Sequence, residues 1–297
     1  MSEIMLDPLK FYGVQSPMSD PGENAGLFAD LPHDVPKLCQ IVQGLMVHIF
    51  WAERYGLKLT EERQQEVQLR KVAQRLARIQ EMGSESLTIP RPLERRVVGN
   101  CRDFSVLLCS MLRYQGIPAR ARCGFGTYFL PHHYEDHWIC EYWHEAKQAW
   151  VTVDPQLDAF QCDVLKIDFD PCEIPKGRFI SGGKAWQMCR SNQADPEAFG
   201  IFDMHGLWFV RGNLVRDVAS LNKMELLPWD TWGIMETEDG FHSENDHTFL
   251  DELAELSLRD NRSFASLRDI YESDPRIQVP KTITTYLADG AAAQVVL

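Results

Sequence analysis

Between Gly99 and Pro118 the chain reads Gly-Asn-Cys-Arg-Asp-Phe, then Leu107-Leu108-Cys109-Ser110-Met111-Leu112, and closes with Gly116-Ile117-Pro118. Asn100 is a suitable N-cap. Phe104, Leu107, Leu108, Met111 and Leu112 repeat with a period near 3.6, and the glycine and proline end the run. An amphipathic helix of this kind must bury its stripe, so it organises whatever packs around it. Its first helical residue is Cys101. The thiolate, not the thiol, is the nucleophile, and the positive end of a helix macrodipole favours it. The same turn offers backbone N–H groups without intrahelical acceptors, which suit an oxyanion. Cys109, two turns further in, reads as a packed core thiol.

A nucleophile of this type needs a base and a carboxylate to orient it. Downstream, Ala119 to Phe129 reads as a strand and Leu130 to Asp136 as a loop. His137–Trp143 and Trp150–Val153 read as two strands joined by a hairpin at His144–Gln148, with Asp154-Pro155 closing the second. Side chains alternate along a strand, so His137, Ile139 and Glu141 share one face, and Thr152 and Asp154 share one face of the partner. Pairing across the hairpin brings His137 near Asp154, and one face can then present imidazole and carboxylate to the Cys101 helix. On spacing alone, three ordinary packed residues remain an alternative reading.

The flanks read as helical. Residues 1 to about 34 are rich in Pro, Asp and Gly and read as an arm or extended loop. Asp34-Val35-Pro36 starts a helix carrying Leu38, Ile41, Val42, Leu45, Ile49 and Phe50, and a second helix runs from Thr60 to Met82. Beyond Phe160, helical stretches are expected within Gly177–Met188, Phe199–Leu227, Phe249–Leu258 and Ser263–Tyr271, with a small-residue mobile tail at Gly290–Gln294. The divisions expected are 1–90 (arm and helical pair packing on the core), 91–170 (core) and 171–297 (a mainly helical extension of the same domain).

The net charge of −13 argues against a broad nucleic-acid or anionic-membrane surface. No run of about 18 apolar residues occurs, and Met1-Ser2-Glu3-Ile4 lacks the basic, then apolar, pattern of an export signal. The eight cysteines include no CxxC pair. The expectation is a cytoplasmic protein with reduced thiols that binds neither nucleic acid nor membrane.

The segment Gly99-Asn100-Cys101-Arg102-Asp103-Phe104 with Gly116-Ile117-Pro118-Ala119-Arg120 resembles the cysteine motif of the transglutaminase-like superfamily. Asp136-His137-Trp138-Ile139-Cys140-Glu141-Tyr142 resembles its histidine strand, and Trp150-Val151-Thr152-Val153-Asp154-Pro155 its W-x-x-x-D-P segment. The resemblance covers Arg95 to Leu157. It implies an α+β, papain-like core with the thiol helix on an antiparallel sheet, helical additions at both ends, and a Cys101–His137–Asp154 triad. It also implies acyl transfer through a Cys101 thioester on a peptide, protein or small amide, with no metal or organic cofactor. The acceptor, water or an amine, stays open. So do a non-catalytic binding module of the same fold and an amidase acting on glycosylated asparagine. One departure is Trp138: the family often has a small residue after the histidine and an aromatic next, so the aromatic here has changed sides.

Other constellations have plainer readings. His132, His133, His137, Cys140 and His144 suggest zinc, but His137 and Cys140 point to opposite faces and no second ligand pair follows. Arg102 and Asp103 read as a solvated or local salt-bridge pair, or else Asp103 buttresses the turn leading to Cys101. Trp143, Trp150, Trp208, Trp229 and Trp232 read as core, and the acidic stretch Glu236–Asp239 with Glu244–Asp246 as a solvated loop.

Overall fold

The computed structural model describes residues 7–236, 243–287 and 290–297. The chain divides into two compact units, one of Leu9–Ala121 and Trp138–Pro175, the other of Met1–Pro8, Arg122–His137 and Lys176–Leu297. Each mixes helix and sheet. Residues 237–239 of the acidic stretch and the leading Met1–Ile4 lie outside the described residues.

In the first unit the stretch expected to be an arm is tied down. After α1 (Pro8–Tyr12) and a 3-10 turn at Gly22–Phe28, Tyr12, Met18 and Phe28 are all buried. Ser110 Oγ donates to the Ser19 carbonyl at 2.6 Å and Arg113 Nη1 to Ser19 Oγ at 2.8 Å. These bonds satisfy polar groups that burial would otherwise leave costly. Helix α2 (Val35–Leu45) starts as expected, with the Asp34 carboxylate accepting from Lys37 N–H at 2.9 Å. It stops five residues before Phe50. Met46–His48 instead forms β1, and pairs in parallel with β2 (Val97–Gly99), Val47 opposite Val98. The backbone at the switch is held by Arg91 N–H on the Gly44 carbonyl at 2.8 Å. Gly44 permits this approach: a Cβ there would stand 3.0 Å from Pro90 Cβ.

The single helix expected over Thr60–Met82 is two, α3 (Glu61–Gln64) and α4 (Val72–Met82), with a 3-10 turn at Gln65–Gln68 between. The break turns Glu66 inward. Its Oε2 accepts from Val98 N–H at 2.8 Å, while Oε1 takes Arg63 Nε at 2.9 Å and Arg78 Nε at 2.8 Å. A buried carboxylate satisfied by β2 and two guanidiniums outweighs one continuous helical ladder.

Helix α5 (Cys101–Tyr114) is buried from Cys101 to Arg113 and packs against α2, α4 and β2. Strand β3 (Ala119–Gly126) follows, three residues shorter than read. Strand β4 (Tyr134–His144) begins three residues before His137, and β5 (Ala149–Val153) pairs with it antiparallel, Cys140 opposite Val153 through His144 opposite Ala149. Cys109 Sγ lies 3.3 Å from Cys140 Sγ, so α5 rests on this hairpin. Arg120 Nε meets Glu141 Oε2 at 2.6 Å and its guanidinium lies 4.2 Å from the Trp150 ring centroid. Helix α6 (Ala159–Leu165), capped by Asp158, closes the unit.

Strands β3 and β4 pass from one unit to the other. In the second unit, Gly124–Gly126 of β3 pairs antiparallel with β6 (Phe179–Ser181). Helix α7 (Gly182–Arg190) follows. Tyr134–Glu135 of β4 pairs in parallel with β7 (Phe199–Ile201), which pairs antiparallel with β8 (Met204–His205). Helix α8 (Leu207–Leu221) is buried along most of its length. After β9 (Asp230–Thr231), helix α10 (Phe264–Ser273) falls where a helix was expected, whereas α9 (Glu244–Leu258) begins five residues before Phe249 and takes in Glu244–Asp246, read as loop, because Ser243 and Asp246 cap each other there. The tail expected to be mobile is ordered: β10 (Thr282–Tyr286) pairs with β9 and with β11 (Ala292–Val296), Ile283 opposite Val295. Of the tryptophans read as core, Trp232 is buried and Trp208 is exposed. Among the described residues no helix is long and apolar enough to cross a membrane.

Candidate functional site

Cys101 occupies the first position of α5 and is 6 % exposed. The turn that delivers it is a reciprocal cap. Asn100 Oδ1 accepts from Asp103 N–H at 3.3 Å, and Asp103 Oδ2 accepts from Asn100 N–H at 3.0 Å. Gly99 makes room for it, since a Cβ there would stand 3.0 Å from Asp103 Oδ2 and 2.5 Å from Met46 Cε.

Asp103 is neither solvated nor a mere neighbour of Arg102. Its carboxylate is buried and takes Arg75 Nη2 from α4 at 2.8 Å and Arg102 Nη1 at 2.9 Å. Arg75 Nη1 also donates to the Val98 carbonyl at 3.0 Å. Asp103 therefore forms the local ion pair with Arg102 and also buttresses the Gly99–Cys101 turn, so of the readings open from sequence only a solvated pair is excluded. Burial pushes the Arg75 guanidinium below its ordinary value, with Asp103 acting in the opposite sense and Arg102 adding to the fall. Sequence reasoning passed over Arg75, although it lies at helical spacing between Val72 and Ile79, on the apolar face of α4.

Asp154 stands directly after β5 and is 1 % exposed. Its N–H donates to the Pro171 carbonyl at 2.8 Å, and its Oδ1 accepts from Gln156 N–H at 3.0 Å. Gln43 Nε2 of α2 donates to the Pro155 and Leu157 carbonyls at 3.3 and 3.2 Å, fixing the same turn. Cys101 and Asp154 both belong to the first unit.

His137 is the last residue the second unit takes from β4, and is 2 % exposed. Its ring meets Phe129 edge-on with centroids 4.8 Å apart and Tyr128 at 5.9 Å. The wall beside the histidine thus comes from the loop after β3, where a strand was expected to continue. The consecutive aromatics Tyr128-Phe129 after Gly126 were the available signal. Gly126 lets Phe129 fold back, because a Cβ there would lie 2.6 Å from its ring. Trp138 is fully buried.

Helix α8 clamps the strand ends beside His137. Asn213 Nδ2 donates to Asp136 Oδ1 at 2.7 Å and to the Gly124 carbonyl at 3.2 Å. Asp217 accepts two bonds from Arg122, each 2.8 Å, and Cys123 N–H at 3.0 Å. Burial raises the Asp136 carboxyl, against the Asn213 hydrogen bond. Burial, then Asp136, push Glu135 up to about 7, and His133 Nε2 stands 3.1 Å from its Oε2. Among the described residues no group of three His, Cys, Asp or Glu side chains is arranged to hold a metal ion.

Residues 59–155 match the family model of the transglutaminase-like superfamily. This segment is transglutaminase-like. It spans α3 to Pro155, so it holds Cys101, His137 and Asp154, and it reaches further upstream than the motifs themselves to include Glu66 and Arg75. No curated protein and no solved structure matches the chain.

Proposed function

We propose that the protein is a cysteine-dependent acyl-transfer enzyme acting on an amide or other acyl carbonyl of a peptide, protein or small molecule. The observation that carries this reading is Cys101 itself, the first residue of a reciprocally capped, buried helix inside the transglutaminase-like segment. In the proposed reaction Cys101 Sγ bonds to the carbonyl carbon and the C=O electron pair moves onto oxygen. His137 accepts the thiol proton and passes it to the leaving amine, while Asp154 orients the imidazole. Water or a second amine then attacks the thioester and restores the thiol. The hairpin register supports the pairing of roles. Glu141 lies opposite Thr152, and alternation along both chains carries that face to His137 and Asp154.

Iodoacetamide labelling with peptide mapping tests the nucleophile. The expected result is alkylation of Cys101 near neutral pH well ahead of the other thiols, slowed by His137→Ala. Alkylation of Cys101 at the rate of an unperturbed thiol, indifferent to His137→Ala, overturns the reading in favour of a non-catalytic binding module.

A further inference from the structure

Asn100 has one amide group and only half of it is used. Its Oδ1 is fixed as the acceptor for Asp103 N–H, which assigns the amide orientation and leaves Nδ2 as the other branch. Nδ2 is buried on a residue 2 % exposed, and no hydrogen-bond acceptor meets it. A buried donor without a partner costs about 1–3 kcal/mol, and such groups in a folded protein call for an explanation. This one lies on the residue immediately before Cys101, at the head of the helix whose first turn gathers N–H groups. Capping alone does not require it, since Ser, Asp and Asn cap equally well. The carboxamide adds a donor that Asp lacks, on the residue next to the thiol.

We infer that Asn100 is a catalytic residue whose Nδ2 donates a hydrogen bond to the oxyanion formed when Cys101 attacks an acyl carbonyl; this rests on the acyl-transfer reading above. One side chain thus has two tasks, Oδ1 holding the helix start and Nδ2 stabilising the charge that develops beside it. Removing a single oxyanion donor lowers the rate of such a step about 10²–10³-fold.

Two reagents separate the donor's role from the thiol's reactivity. p-Nitrophenyl acetate acylates Cys101 through a tetrahedral oxyanion: the S–C bond forms, the intermediate collapses to a thioester, and p-nitrophenolate leaves. Iodoacetamide alkylates the same sulfur by displacement of iodide, with no oxyanion. Both rates are measured on the full chain after subtracting those of Cys101→Ala. Asn100→Asp keeps the capping oxygen and loses the donor, and Asn100→Gly loses the donor without adding charge. The expected result is a fall of about 10²-fold in the acylation-to-alkylation ratio for both variants, with the ratio unchanged in Trp138→Phe, which removes another buried N–H of this unit that lacks an acceptor. Wild-type ratios in both Asn100 variants overturn the inference and leave the acyl-transfer reading standing. If Cys101 of the wild type is alkylated but never acylated, both fall.

Discussion

Replacing Asp103 by asparagine should be the most damaging conservative change near the thiol. The carboxylate accepts from Asn100 N–H at 3.0 Å, Arg75 at 2.8 Å and Arg102 at 2.9 Å. Both guanidiniums are almost wholly withdrawn from solvent, at 2 % and 1 % side-chain exposure. The carboxamide introduced by Asp103→Asn would keep the shape, offer one acceptor oxygen in place of two, and carry no charge. Two buried cations would then face each other without their anion. Removing one partner of a buried ion pair costs about 3–5 kcal/mol, because the remaining charge stays desolvated. For a chain of this size each kcal/mol moves the thermal midpoint by roughly 2 °C, so a fall of about 6–10 °C is expected. Thermal unfolding followed by circular dichroism measures it. Asp163→Asn is the control: that carboxylate is 81 % exposed beside Lys166, and its loss should leave the midpoint in place. Arg75→Met combined with Asp103→Asn should cost less than the sum of the two single changes. A midpoint within about 2 °C of wild type for Asp103→Asn, or strict additivity in the pair, would refute the account of the cap as a charged network.

Two further outcomes follow from the same surroundings. Glu135 is raised on folding from 4.5 to about 7, so the folded state holds its proton more tightly than the unfolded chain. Its contribution to stability is complete below pH 4.5 and is lost as pH rises to 7; Glu135→Gln should gain stability on wild type across that window in urea titrations, and parallel profiles would count against it. In Gly99→Ala the new methyl would meet Met46 Cε, which can swing aside, and Asp103 Oδ2 at 3.0 Å, which the Asn100 N–H and Arg75 hold still. A loss of about 1–3 kcal/mol in urea unfolding is expected, and an unchanged midpoint would show that the turn has slack.

What the sequence made legible was local. The caps at Asp34, Thr60 and Asn100 are each settled by a side chain and an N–H three residues away, and all three start helices where they were read. The β4–β5 hairpin is likewise a matter of neighbouring residues. The misread stretches depend on distant partners. Met46–His48 leaves the helical pattern because Val97–Gly99, far along the chain, offers it a ladder. Gly290–Gln294 looks too small to be ordered, but strand pairing uses the backbone of Ala292–Val296, and Thr282–Tyr286 supplies the complement. At the candidate site, the position of Cys101 was legible and its foundation was not, because Asp103 is seated by a guanidinium from another helix. Nor could alternation say which face of β4 receives α5. Cys109 meets Cys140, so it is the Cys140 face that receives the middle of the helix. The aromatic displaced by Trp138 is replaced by Tyr128 and Phe129, from a loop whose path no periodicity encodes.

The Asp103 network also bears on how small a piece of this chain could be made. A fragment beginning at Pro92 would retain Cys101, His137 and Asp154, yet it would omit Arg75, which anchors the helix start, and Glu66, which holds the Val98 amide just ahead of it. In such a fragment Asp103 would lose its interhelical counterion and β2 would lose β1 together with its carboxylate. The shortest fragment able to keep the thiol in its setting has to begin upstream of Val35, so that α2, β1 and both charged anchors travel with it.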